Sequence, residues 1–101
     1  MSPMDTRHVI EILRAHEAEL KAAGIVHLRL FGSVARGEAS GHSDVDLMAE
    51  FDATKRLTLV KIGSLQGRLT DLLGAPVELS SSEWMQEPVR SKALHEAVLA
   101  F

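Results

Sequence analysis

From Asp44 to Phe51 the chain reads DVDLMAEF, and apolar and acidic residues alternate: Val45, Leu47, Ala49 and Phe51 against Asp44, Asp46 and Glu50, with Met48 among the latter. A period of two puts the first set on one face of a strand and the second on the other. Carboxylates are costly to bury without partners, so the acidic face must stay open while the apolar face needs a covering layer. A bundle of helices cannot satisfy this pattern, whereas a sheet covered on one side can.

The rest of the chain supplies that cover. From Thr6 to Ala23, Val9, Ile10, Leu13, Leu20 and Ala23 recur at a spacing near 3.6, predicting one amphipathic helix that stops at Gly24. Val26 to Phe31 alternates again, with Val26, Leu28 and Leu30 predicted inward and His27, Arg29 and Phe31 outward. Ser33 to Gly37 is long enough for a helical turn, and Glu38 to Ser43 is a polar loop. A helix is predicted over Thr54 to Leu73, closed by Gly74 and Pro76, with Lys55 and Arg56 solvated at its start. Gly63 and Gly67 inside it each cost up to about 1 kcal/mol relative to Ala, which suggests close packing there. Val77 to Leu79 reads as a short strand, Ser80 to Ser82 as a capped turn before Trp84, and Pro88 to Ala97 as a last helix leading into the apolar end Val98 to Phe101. Trp84 reads as a packing residue. The order predicts an α/β (α+β) fold, a small mixed sheet with helices packed on one face.

With 101 residues, of which 46% are hydrophobic, the chain suits a single domain, residues 1–101, around one core. A net charge of -3 argues against sequence-independent binding to a nucleic-acid backbone. No apolar run approaches the roughly 20 residues of a membrane span, and residues 1–11 lack the pattern of a signal peptide. The chain has no cysteine, which excludes disulfides and thiolate metal sites and makes the cytoplasm the expected compartment.

Chemistry concentrates in Gly32, Ser33, ten intervening residues and Asp44-Val45-Asp46. Carboxylates at i and i+2 of a strand point the same way and repel unless a cation lies between them. Oxygen donors without matching His or Cys favour magnesium or manganese over zinc. Gly32 after a strand allows close backbone approach, and a helical turn opening at Ser33 offers N–H groups and a hydroxyl to an anion such as a triphosphate. Arg36, three residues on, adds a planar fork of donors, or else pairs with Glu38 or Glu50 on the surface. A solvated strand face is the alternative reading of Asp44 and Asp46 taken alone. His42 reads as a solvated loop residue, and His8, His16, His27 and His95 lack metal-ligand spacing. His27 and Arg29 share the open face of their strand, where a substrate contact is available.

Residues 32 to 47, GSVARGEASGHSDVDL, resemble the signature of the nucleotidyltransferase superfamily related to DNA polymerase β, in particular the minimal nucleotidyltransferases. The resemblance implies the polymerase β-like nucleotidyltransferase fold and a metal-dependent transfer of a nucleoside monophosphate from ATP to a hydroxyl. It implies that Gly32, Ser33 and Arg36 hold phosphates and that Asp44 and Asp46 hold two magnesium or manganese ions. The family's third carboxylate, usually Asp, falls here on Glu78, between Val77 and Leu79. Its extra methylene pushes the carboxylate about 1 Å further out, which bears on rate more than on nucleotide binding; exposed decoration is the alternative.

Small members of this family are typically encoded beside a HEPN-domain protein as toxin–antitoxin pairs. The resemblance therefore implies an antitoxin that attaches AMP to a tyrosine hydroxyl of a HEPN ribonuclease toxin, with ATP and that toxin as partners, alone or in a homo- or hetero-oligomer. Two alternatives stand beside it: an antitoxin that blocks its toxin by binding alone, and a transferase acting on a small hydroxylated molecule.

Overall fold

A computed structural model describes residues 6–32 and 44–101. Its strands are β1 (Ile25–Phe31), β2 (Val45–Phe51), β3 (Val77–Ser81) and β4 (Val98–Leu99), and its α-helices are α1 (Thr6–Ala15), α2 (Glu17–Ala22), α3 (Leu59–Leu73) and α4 (Val89–Glu96). The strands form one sheet in the order β3-β2-β1-β4. β1 is antiparallel to β2 and β4, whereas β2 and β3 are parallel, so the sheet is mixed as expected.

One face of the sheet is core. Leu28 and Leu30 from β1 lie opposite Ala49 and Leu47 from β2, and Leu47 lies beside Leu79 from β3. Val9, Leu13, Leu20 and Leu69 close over them from the helices, and all four are fully buried. Apolar side chains of this size each contribute roughly 1.5–3 kcal/mol when removed from water, so this layer fixes the register of all that stands on the other face.

Four local expectations need correction. The first helix is broken at His16, whose N–H bonds the Leu13 carbonyl three residues back and whose φ of -108° is not helical. The inward set of β1 begins at Ile25: the register slips between Ile25 and His27, so Ile25 is buried and Val26 is left 40% exposed. The helix predicted from Thr54 starts instead at Leu59. Before it, Asp52 caps a short 3₁₀ turn at Ala53–Lys55, Arg56 takes the left-handed φ of 46°, and Thr58 then caps α3 by accepting from the Lys61 N–H at 3.2 Å. Lys55 therefore stands in a turn, reaching the Ala22 carbonyl at 3.4 Å. Finally, Gly63 and Gly67 face open space, with nothing within 4 Å of where a Cβ would stand, so close packing does not account for them.

The apolar C-terminal end is an edge strand. The Leu28 carbonyl accepts from Ala100 at 2.8 Å, and Arg14 Nε donates to the Ala100 carbonyl at 2.7 Å, tying this end to α1. Trp84 is a partner of Phe51, with ring centroids 6.3 Å apart, and remains 55% exposed. Among the described residues no helix is long and apolar enough to cross a membrane.

Candidate active site

Buried neighbours aim the carboxylates. Val45 and Leu47 point into the core and so do Val77 and Leu79, which forces Asp46 and Glu78 onto the opposite face. Parallel pairing puts Asp46 and Glu78 in register on adjacent strands, and antiparallel pairing puts Phe31 on the other side of Asp46. Phe31, Asp46 and Glu78 thus form one row across three strands, about 4.8 Å from strand to strand. Asp46 is half-buried and Glu78 exposed.

Gly32 is pressed against this row. Its φ is +76°, a left-handed conformation that a side chain disfavours, and a Cβ placed there would lie 3.1 Å from Asp46 Cγ and closer still to its carboxylate oxygen. The backbone at the end of β1 therefore approaches Asp46 as only glycine permits. Asp44 directly precedes β2 and is exposed; the Val45 N–H donates to the Pro76 carbonyl at 2.8 Å, bringing the starts of β2 and β3 together. Among the described residues no three His, Asp or Glu side chains stand close enough together to hold a metal ion. What the register supplies is the Asp46–Glu78 pair with Asp44 adjoining. Ser33, Arg36 and His42 lie outside the described residues.

Farther along the same face the charges neutralise one another. Arg29 Nη1 donates to Glu50 Oε1 at 2.9 Å, and His27 is the register partner of Glu50. Met48, between Arg29 and Ser80, is fully buried. His27 and Arg29 do share this face, as their alternation predicted. Phe31's position beside Asp46 was open to sequence reasoning only in part: alternation gives its face, but not its partner. On the helical side, Arg68 grips Glu19 with two bonds of 2.7 and 3.1 Å across a groove of about 570 Å³, and the guanidinium holds the Glu19 carboxyl below its ordinary range. That groove lies on the side of the sheet away from the carboxylate row.

Comparison with known proteins identifies the family and the fold. Residues 9–100 match the family model of the nucleotidyltransferase domain. The protein adenylyltransferase MntA of Thermococcus cleftensis is 32% identical over 99 residues, covering 97% of this chain and 98% of its own. A Methanocaldococcus jannaschii protein, provisionally named a protein adenylyltransferase, is 34% identical over 90 residues, covering 88% and 90%. A solved structure provisionally described as a minimal nucleotidyltransferase superposes with a TM-score of 0.72 at 40% identity, over 88% of this chain and 93% of its own. A toxin–antitoxin crystal structure with AMP-PNP gives a TM-score of 0.70 over 87% and 72%; at 16% identity the likeness is one of fold.

Proposed function

Since this chain belongs to the nucleotidyltransferase domain family, we propose that it is a protein adenylyltransferase of antitoxin type, which moves AMP from ATP to a tyrosine hydroxyl of a cognate HEPN-domain ribonuclease toxin and so silences it. The observation that carries this reading is the placement of Asp46 and Glu78 as register partners beside a glycine that no side chain could replace without displacing Asp46. The names of the relatives support the protein acceptor. The HEPN partner and the tyrosine rest on the resemblance of residues 32 to 47.

The donor set suits a hard divalent cation. Magnesium is commonly held by one or two carboxylates completed by substrate phosphates and water, so an adjacent pair with Asp44 beside it meets the requirement without a preformed cage. Asp46 would hold the ion with Asp44 or Glu78 beside it, phosphate and water completing the shell, and the bound ion would offset triphosphate charge and polarise the reacting oxygens. Gly32 would let the backbone approach the phosphates, and the resemblance of residues 32 to 47 assigns Ser33 and Arg36 to the same anion site. In the transfer, the acceptor oxygen bonds to the α-phosphorus, the bond from that phosphorus to the bridging oxygen breaks, and pyrophosphate departs. Glu78, the exposed member of the row, would serve as a ligand to the ion or take the hydroxyl proton.

The test is mass spectrometry of the partner toxin after incubation with ATP, magnesium and this protein. The expected result is a tyrosine carrying AMP, lost when Asp46 is replaced by Asn. An unmodified but inhibited toxin would replace this reading with inhibition by binding alone.

A further inference from the structure

Helix α4 has no buried residue, and Val89 on it is 63% exposed. Val89, Lys92, Ala93 and Glu96 recur at i, i+3, i+4 and i+7, which places them on one face. That face, together with Phe31 and Gly32, lines a cavity of about 390 Å³. Phe31 is the register neighbour of Asp46, so the cavity adjoins the carboxylate row. Its volume falls within the range of small-molecule sites, roughly 300–1,000 Å³.

The lining is specific in character. An aromatic ring, a valine and an alanine supply apolar walls, and Lys92 and Glu96 supply one charge of each sign. These two are one helical turn apart, yet among the described residues neither takes part in an ion pair. A face that leaves an apolar wall and two opposite charges unengaged suits a flat ring bearing both a hydrogen-bond donor and an attached anion.

We propose that this cavity is the purine subsite: the base packs against Phe31, Val89 and Ala93, Glu96 accepts from the exocyclic amine of adenine, and Lys92 meets a phosphate oxygen. Guanine presents a carbonyl where adenine presents that amine, so Glu96 selects ATP over GTP. An aromatic acceptor side chain would use the apolar wall but give Lys92 no anion. The inference rests on the nucleotide-dependent reading above and adds the residues that choose the nucleotide.

Calorimetric titration of the full chain with AMP-PNP and GMP-PNP in magnesium buffer tests it. Lys92→Gln is expected to weaken AMP-PNP at least about tenfold, the loss of one charge-assisted hydrogen bond. Glu96→Gln is expected to narrow the AMP-PNP over GMP-PNP preference by a similar factor. Val89→Trp, which fills the cavity, is expected to weaken both nucleotides with the melting temperature unchanged, because Val89 is exposed. Wild-type protein that binds no AMP-PNP would overturn the nucleotide-dependent reading itself. Wild-type binding that all three variants retain would overturn the subsite alone. So would Val89→Trp binding AMP-PNP normally while losing transfer to the toxin, which would assign the cavity to the acceptor.

Discussion

The two faces of this sheet are built from alternate residues of the same strands, and they obey different rules. Leu28, Leu30, Leu47, Ala49 and Leu79 on one face are all buried, and any of them could be exchanged for another apolar residue of like volume at modest cost. On the other face Phe31, Asp46 and Glu78 stand in one row, where two like charges on adjacent strands repel each other. Stability therefore resides in the first face, and the proposed chemistry in the second. A one-residue slip in β2 would exchange them, so the packed face sets the geometry of the reactive one.

Neighbouring residues of β2 separate the two roles most sharply. Leu47→Ala should lower unfolding free energy by about 2–5 kcal/mol in urea titration, the usual cost of truncating a buried leucine, while AMP transfer per folded molecule is retained. Asp46→Asn should do the reverse: transfer falls by roughly 100- to 1,000-fold, in keeping with the loss of one preorganised electrostatic group, and stability changes by far less than in Leu47→Ala. If Asp46→Asn destabilised as Leu47→Ala does, the division of labour between the faces would be wrong.

Gly32→Ala sharpens the contrast where the faces meet. The left-handed backbone and the crowding against Asp46 should together cost about 1–3 kcal/mol, read by thermal melting, and transfer should fall beyond what unfolding explains. On the helical side, Gly63→Ala fills open space and should stabilise by about 0.5–1 kcal/mol without touching activity.

The smallest expected effect is electrostatic. Arg68 holds the Glu19 carboxyl below its usual range through two hydrogen bonds and its positive charge. The folded-state pKa is thus depressed, and the contribution of this pair is full above the unfolded pKa near 4.5 and fades as pH falls through the lowered folded value. Glu19→Gln should remove that part of the acid-side pH dependence of the melting temperature and leave neutral-pH transfer unchanged.

Much of this division was written in the alternation of residues 44–51, because a period of two with opposite polarity admits only one arrangement. The closing of α3 at Gly74, in left-handed conformation with φ +66°, was equally legible. Other features were settled by forces the local pattern does not carry. The break at His16 has no proline or glycine to mark it. The slip at Ile25 and His27 moves the inward set by one residue, and the left-handed Arg56 ends a turn where helical periodicity reads straight through. β4 is two residues long and exists through its pairing with β1. In the site, spacing alone could aim Asp46 and Glu78 outward, but strand order and register, which made them neighbours, depend on the assembled core.

Manganese titration followed by amide NMR tests the central claim most directly, since the paramagnetic ion broadens the resonances nearest its site. In the presence of AMP-PNP, the amides of Phe31, Gly32, Asp46 and Glu78 should broaden first, at substoichiometric metal, and Asp46→Asn should abolish the effect. Broadening that begins at Glu19 or Glu50 and leaves the row sharp, or that persists unchanged in Asp46→Asn, would contradict the account.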